Sequence, residues 1–358
     1  MSRVPAGRHL VTRMQDTRIG CALVGYGTTF NWGWIHARWI QAVADLRLAA
    51  ICTRTAASAA RAAHDYPGVD TGTDLAAMLR RDDIGLVCVL TPHNTHAAIA
   101  IQALEAGKHV LVDKAMAVSV AECDAMIAAA ERNRRTLAVF HNRRHDGNIR
   151  AITETIRSGT LGEIYHLEFF AGGYHAPGGG WYDDQEASGG ALHTYGPHVV
   201  DWMLQWIPSG PAQVMCYAHK LVWRETTNAD HAQAVIRFAN GAVGEIVISS
   251  IAHLGKPQWY ILGTAGAIVD TAQGALTGYT REVVGPSAGS FRLRTIAGER
   301  EVPYRESDWL TYYIDLANHL TRGTPVPVSA EEGRMTIAVL EAAERSARCG
   351  QPQRLDAS

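Results

Sequence analysis

The clearest alternation of apolar and polar positions lies in the first third of the chain. Two apolar runs of strand length, Leu86–Leu90 and His109–Val112, flank a stretch with helical spacing, His96–Ala106. Two buried parallel strands joined by a short helix form a right-handed βαβ unit, and ligands of such sheets bind beyond the carboxyl ends of the strands. The pattern therefore predicts a cleft beside the residues that follow the two runs: Thr91, Pro92, His93 and Lys114.

A second unit of this kind begins at Arg18, with an apolar run that ends in a Gly-x-Gly turn before a helix predicted over Ile35–Ala44. Such a turn lets a pyrophosphate approach the backbone at a helix N-terminus. Phe30 stands where a third glycine is usual and Gly33 comes three residues late, so a longer loop is predicted. The candidate phosphate-binding residues are Gly25, Tyr26, Gly27, Thr28, Thr29 and Phe30.

The next apolar run, Leu46–Cys52, ends at Thr53 and Arg54. An NAD-binding fold usually places Asp or Glu here to hold the ribose 2′-hydroxyl, whereas an arginine suits a 2′-phosphate. Thr53 does not repel a phosphate and Arg54 can pair with it, which favours NADP over NAD. The alternative is that Arg54 only begins a solvated helix.

The C-terminal half alternates in the manner of β-strands. Strands are predicted at Ile164–Phe170, Ala212–Ala218, Ala232–Phe238, Val243–Ser249 and Trp259–Leu262. Helices are predicted at Asp308–Arg322 and Ala330–Ser346. We therefore expect an α/β protein with a flexible leader (1–17), an N-terminal Rossmann dinucleotide-binding domain (18–145) and a C-terminal α+β domain with a large, mainly antiparallel open sheet (146–358). Its last helix is expected to return toward the Rossmann domain.

The composition of the chain limits the classes of function that we expect. The chain has 358 residues, 47% of them apolar and 19% charged, with a formal net charge of −2. These values are typical of a soluble globular protein and give no reason to expect nucleic acid or an anionic membrane as partner. No apolar run is long enough to span a bilayer and no secretory signal is evident, so a cytoplasmic location is expected. The six cysteines are scattered and are expected to be reduced core thiols.

Histidine is abundant, with 16 residues, which raises the question of a metal. The only His-x-x-His is His93–His96, and no acidic or cysteine partner stands at ligand spacing. We therefore expect no metal site.

Three segments together resemble the Gfo/Idh/MocA family (glucose–fructose oxidoreductase, inositol dehydrogenase and relatives). They are T-P-x-x-x-H at 91–96, A-G-K-H-V-L-V-D-K at 106–114, and GGALHTYGPHVVD at 189–201. The resemblance runs from about Arg18 to Leu355. The chain departs from the family pattern at two places: Asp113-Lys114-Ala115 replaces Glu-Lys-Pro, and Thr194 replaces an aspartate four residues before the family's histidine.

The resemblance implies roles for particular residues. Lys114 would stabilise the substrate oxygen, His198 would move the hydroxyl proton, and Asp113 would hold the lysine in place. Loss of the proline at Ala115 would loosen the backbone of Lys114. The cofactor would lie against the turn residues 25–30 and against a second set of residues. These are Thr53, Arg54, Thr91, Pro92, His93, His96, Asp113 and Lys114. The candidate substrate contacts are Arg143 (or its neighbour Arg144), Trp181, His193 and Thr194, with Asp201 as a carboxylate that either compensates for Thr194 or packs.

The resemblance further implies an oxidoreductase that transfers hydride between NADP, or NAD, and a sugar, keto-sugar or cyclic polyol. Two alternatives stay open: a redox-inactive, nucleotide-responsive regulator, and an enzyme that uses retained cofactor for transient oxidation and elimination. The family also leads us to expect a homodimer or homotetramer formed through the C-terminal sheet.

Overall fold

A computed structural model describes residues 17–27, 32–271 and 288–355 of the chain. The predicted leader, apart from Thr17, lies outside the described residues. So do three candidate phosphate-binding residues, Thr28, Thr29 and Phe30. What the sequence predicts for them stays a prediction.

The apolar runs of the N-terminal half form a parallel sheet, with six strands among the described residues. They are β1 (Ile19–Val24), β2 (Leu46–Cys52), β3 (Asp70–Gly72), β4 (Leu86–Val89), β5 (His109–Val112) and β6 (Leu137–Val139). The order is β3-β2-β1-β4-β5-β6. Because the strand order reverses between β1 and β4, a crevice opens at their carboxyl ends, where dinucleotides bind in this class of sheet.

Helices cover both faces of this sheet, which is why its strands read as continuous apolar runs. They are α1 (Gly33–Ala42), α2 (Ala56–Asp65), α3 (Leu75–Leu79), α4 (His96–Glu105) and α5 (Val120–Asn133). All four residues of β4 have no exposed surface. The helix α1 begins two residues before the predicted start, directly at Gly33.

The second half begins with α6 (Gly147–Arg157) and builds a larger sheet, of nine strands among the described residues. The strands are β7 (Ile164–Gly172), β8 (Pro211–His219), β9 (His231–Phe238), β10 (Val243–Ser249), β11 (Trp259–Gly263), β12 (Gly266–Asp270), β13 (Ser290–Thr295), β14 (Gly298–Pro303) and β15 (Gln353–Arg354). Their order is β14-β13-β12-β11-β7-β10-β9-β8-β15. Among these strands the β7–β10 pair is parallel and the other pairs are antiparallel.

Four further helices belong to this half: α7 (Gln185–Ser188), α8 (Ala191–Trp206), α9 (Leu310–Arg322) and α10 (Ala330–Cys349). The last of them packs on β8 and α8 and also on α5 and β6 of the first sheet. Gly333 makes this approach possible, because a Cβ there would lie 2.5 Å from a methyl carbon of Val139. The Glu341 carboxylate accepts the backbone N–H of Val120 at 2.8 Å. The helix α10 therefore ties the two sheets together.

The predicted fold class is confirmed: a parallel Rossmann-type sheet is followed by a mainly antiparallel mixed sheet. The domain boundary at 145/146 stays a prediction. The prediction omitted several elements, namely β3, α3, α6, α7 and the strands β12 to β15. Among the described residues, no helix has both the length and the apolar character that crossing a bilayer requires.

Candidate active site

A cavity of about 650 Å³ lies between the carboxyl ends of β4 and β5 and the face of the second sheet. That volume is typical of a small-molecule or cofactor site. Helix α8 and the loop after β7 complete its wall. Eight of the predicted site residues line this cavity: Thr91, His93, Asp113, Lys114, Arg143, Trp181, Thr194 and His198.

The ammonium group of Lys114 is held from the side of the second domain. Its Nζ donates to the Tyr182 hydroxyl at 2.8 Å and to the backbone carbonyl of Thr194 at 2.8 Å. It also lies 5.4 Å from the centre of the Tyr182 ring. Since the lysine follows β5 and its partners belong to the second half, the two halves of the chain jointly fix this cation.

Asp113, which was expected to hold the lysine in place, contacts the backbone of Lys114. Its Oδ1 accepts the backbone N–H of Lys114 at 2.8 Å. Burial raises the pKa of the Asp113 carboxyl to about 6, although the neighbouring Lys114 charge works against the rise. The cavity therefore contains a carboxyl group that titrates close to neutrality.

His93 and His96 support the peptide after Lys114, which is cis. The backbone N–H of Ala115 donates to Nε2 of His93 at 3.2 Å, so the ring proton lies on Nδ1 and is donated to the Ser188 carbonyl at 2.8 Å. Burial, followed by the nearby His96 and Lys114, lowers the pKa of His93 far below its ordinary value. His93 is therefore a neutral link between β5 and α7.

His96 lies behind the cavity wall rather than in it. Its two ring nitrogens face the carbonyls of Ala115 and Thr91 at 2.9 and 2.8 Å. Burial lowers its pKa to about 4, so at neutral pH the ring carries one proton and donates to one carbonyl at a time. The structure thus places His96 as a brace of the lysine backbone, away from the space where we expected it to meet a cofactor. With His93 it holds the backbone of Ala115, and the expected loosening at this position stays a prediction.

His198 reaches the cavity from α8. Its ring is 2% exposed, lies parallel to Trp202 at 6.0 Å and meets Tyr195 edge-on at 5.6 Å. Nδ1 has no hydrogen-bond partner among the described residues. Burial first, then the charges of Lys114 and Arg143, hold the pKa of His198 well below its usual range. The imidazole is therefore neutral at physiological pH.

The paired arginines have separate functions. Arg143 lines the cavity, 5% exposed, and donates to Asp146 at 3.0 Å and to the Tyr195 hydroxyl at 3.2 Å. Arg144 turns away and pairs with Asp201 at 2.9 and 2.5 Å. Of the two, Arg143 is thus the cavity residue. Asp201 forms an ion pair with Arg144 and so does not take the place of the aspartate that the family has at position 194.

Thr194 contributes its main chain to the site. Its hydroxyl donates back to the Ala191 carbonyl within α8, while its own carbonyl accepts from Lys114 and from the Tyr182 hydroxyl. Trp181 packs edge-on against His93, with ring centres 4.9 Å apart. Tyr182 was missed by the sequence analysis. The available signal was the same aromatic loop that pointed to Trp181.

His193 lies outside the large cavity, although its neighbour Thr194 lines it. Its ring is 1% exposed, borders a second cavity of about 520 Å³ beside Glu341 and Glu344, and neither nitrogen has a hydrogen-bond partner among the described residues. Burial lowers its pKa to about 4. The structure therefore does not bring His193 together with Lys114 and His198.

Of the predicted dinucleotide-binding turn, the structure describes Gly25, Tyr26 and Gly27. Gly25 has φ 110°, and a Cβ there would lie 2.8 Å from the Leu90 carbonyl oxygen, so only glycine fits this turn beside β4. Gly27 follows it. The Tyr26 side chain, 3% exposed, instead donates to Asp65 at 2.7 Å and anchors the turn to α2. Since the Tyr26 side chain is turned to α2, this part of the turn presents its backbone to the crevice.

The other predicted cofactor residues differ in how far their side chains are exposed to solvent. Thr53 is buried and donates its hydroxyl to the Thr55 carbonyl, whereas Arg54 is exposed at the carboxyl end of β2. Pro92 begins the short turn before α4, and its carbonyl accepts the Thr95 hydroxyl at 2.7 Å. Of these three side chains, that of Arg54 is free to meet a ligand from the solvent side. Among the described residues, no cluster of histidine, cysteine and acidic side chains could hold a metal ion.

Comparison with known proteins matches two family models. "Oxidoreductase family, NAD-binding Rossmann fold" matches residues 19–141, and "GFO/IDH/MocA C-terminal domain" matches residues 149–269. The chain is 26% identical over 352 residues to scyllo-inositol 2-dehydrogenase (NADP(+)) IolW of Bacillus subtilis (strain 168), covering 94% of this chain and 95% of the relative.

Two solved structures agree with the fold along nearly the whole chain. One, of a protein from Klebsiella pneumoniae, has a TM-score of 0.81 at 28% identity and 96% coverage of each chain. The other, GenD2 from gentamicin A biosynthesis in complex with NAD, has a TM-score of 0.77 at 26% identity, covering 99% of this chain and 100% of that one.

Proposed function

Since this chain belongs to the Gfo/Idh/MocA family of NAD(P)-binding oxidoreductases, we propose that it transfers hydride between NADP and a CH–OH carbon of a sugar, keto-sugar or cyclic polyol. The family resemblance drawn from the sequence is thereby confirmed. The similarity to an NADP-linked inositol dehydrogenase supports the substrate class, and NAD remains the alternative cofactor.

The main support for the proposal is that Lys114 and His198 line the same cavity, at the carboxyl ends of the parallel strands. Bound NAD(P) supplies the hydride acceptor or donor. Lys114 offers an N–H to the substrate oxygen and stabilises negative charge that develops there. In this proposal His198, which lines the same cavity, accepts the hydroxyl proton as the alcohol is oxidised and returns it in the reverse direction.

The aromatic lining supports a ring-shaped polyol. Phe170, Tyr195 and Trp309 border the cavity with Tyr182, and Arg143 adds buried hydrogen-bond donors. Aromatic faces pack against the C–H surface of a sugar ring, while the cation and the carbonyls address its hydroxyls. This combination suits a molecule that is apolar on its faces and polar at its rim.

The proposal is tested with Lys114→Ala. The protein is assayed with NADP and with NAD on a panel of scyllo-inositol, myo-inositol, glucose and xylose, following nicotinamide absorbance. We expect the variant to bind NADPH as the wild type does and to lose about a hundredfold or more in kcat, since it lacks the group that stabilises the developing alkoxide. Wild-type turnover by Lys114→Ala contradicts the proposal. Nucleotide that stays with the purified protein until denaturation would favour the transient-oxidation alternative.

An assembly of two or four copies through the second sheet belongs to the same proposal. Tyr165, Tyr217 and Tyr260 are 50%, 50% and 36% exposed on strands β7, β8 and β11. Of these strands, β7 and β11 are neighbours, and exposed apolar side chains that lie together favour a contact surface.

A further inference from the structure

The hydrogen bonds of the Lys114 ammonium leave one donor for a ligand. An ammonium group has three N–H donors. One is directed to the Tyr182 hydroxyl and one to the Thr194 carbonyl, each at 2.8 Å. The third N–H is the one available to a substrate oxygen in the cavity that the lysine lines.

Tyr182 closes a triangle with these two partners. Its hydroxyl accepts from Lys114 and donates to the Thr194 carbonyl, so both of its hydrogen-bonding functions are used. The three groups therefore fix one another: the carbonyl orients the phenol, and the phenol and the carbonyl together orient the ammonium.

Contacts of Tyr182 with both halves of the chain fix its position. Its backbone carbonyl accepts the Asn228 amide at 2.9 Å, from the loop between β8 and β9. Its ring meets Trp181 edge-on at 5.0 Å and His93 at 5.9 Å. A side chain held on several sides can impose a geometry on the flexible lysine, whose four-carbon stem has no rigid fork of its own.

We infer that Tyr182 is the positioning residue of Lys114. Without the phenol, the ammonium keeps one fixed acceptor and turns about the end of its side chain. The third N–H of Lys114 is then no longer directed at the substrate oxygen. This inference rests on the proposed function, because it concerns the lysine that the proposal makes catalytic.

Tyr182→Phe tests the inference, because it removes the hydroxyl and keeps the ring. The matched control is Tyr174→Phe, in the same loop, where the ring is 49% exposed and stacks on His253 outside the cavity. We expect kcat of Tyr182→Phe to fall about ten- to hundredfold, the range that corresponds to a hydrogen bond with a charged group. The Kd for NADPH, the KM for the polyol and Tm should change little, whereas a purely structural role would shift them. Tyr174→Phe should match the wild type.

A second measurement needs no substrate. Reductive methylation with formaldehyde and cyanoborohydride, followed by peptide mass spectrometry, gives the modification rate of Lys114. We expect this rate to rise severalfold in Tyr182→Phe and to stay unchanged in Tyr174→Phe, because the released amine reaches the reagent more readily.

The outcomes separate the two proposals. Equal methylation rates in wild type and Tyr182→Phe overturn the inference. So does a kcat within twofold of the wild type in Tyr182→Phe while Lys114→Ala is inactive, and that result leaves the proposed function intact. Undiminished turnover by Lys114→Ala refutes the proposed function and, with it, a catalytic reason for holding the lysine.

Discussion

Replacing Asp113 by Asn should stabilise the protein at neutral pH. Burial raises the pKa of this carboxyl to about 6 in the folded state, against an ordinary value of 3.8. The folded state therefore binds more protons than the unfolded state between these pH values. The stability contributed by Asp113 is fully present below pH 3.8 and is lost as the pH rises through 6.

The size of the effect follows from the same shift. At 1.36 kcal/mol per pKa unit, ionising Asp113 costs about 3 kcal/mol of folding free energy at pH 7.5 and about 1 kcal/mol at pH 4.5. The amide of Asn stays neutral and keeps an oxygen for the Lys114 N–H. The variant should therefore gain up to about 3 kcal/mol at pH 7.5 and clearly less at pH 4.5.

Urea denaturation of wild type and variant at the two pH values measures this difference. Asp230→Asn is a matched control of opposite sign. Burial would raise the pKa of Asp230, but hydrogen bonds from Lys220 and the backbone of Val222 and Leu221 lower it to about 2. Its loss should therefore destabilise the protein at pH 7.5. A destabilised Asp113→Asn, or a gain that does not change with pH, would refute the reasoning.

Two further substitutions test the cofactor end and the buried ion pair. Arg54→Ala should weaken NADPH binding about tenfold and leave NADH binding unchanged, because a charge-assisted bond to the 2′-phosphate is lost. Tryptophan fluorescence titration with Arg61→Ala as control measures this, and equal wild-type affinities for NADPH and NADH would contradict it. Arg144→Met should lower the free energy of unfolding by about 3–5 kcal/mol, because Asp201, 2% exposed, is left without its cation. Arg334→Met, at a more exposed pair, should cost under about 1 kcal/mol by urea denaturation, and equal losses would refute the distinction.

The sequence predicts the bounds of an element best where burial alone sets the pattern of apolar residues. The bounds of β2, β5 and β10 agree with prediction at every residue, because their apolar runs stop at polar positions. The hairpin of β13 and β14 was missed for the opposite reason. Its outer face carries Arg292, Arg294, Glu299 and Glu301, so the alternation reads as a charged surface segment.

The positions of the site residues were harder to predict. They depend on the direction in which each residue of a helix faces and on the path of a long loop. His193 and Thr194 are neighbours in sequence, yet one borders the second cavity and the other lines the first, since successive residues of a helix face different directions. His96 belongs to a motif of the site but bonds to carbonyls behind it. Tyr182 meets Lys114 only through the path of a long loop, which no periodicity in the sequence encodes.

The position of α10 has a consequence for how the chain is made. The segment before this helix pairs with the edge of the first sheet: Val139 donates its N–H to the Val328 carbonyl at 3.3 Å, and Ala138 bridges Ser329. The β6 edge therefore stays uncovered during synthesis until nearly two hundred further residues have left the ribosome. Exposed edges of this kind recruit other strands, so the half-made chain is prone to aggregate through this edge. Stop codons placed before residue 328 should accordingly yield aggregates rather than a soluble nucleotide-binding half.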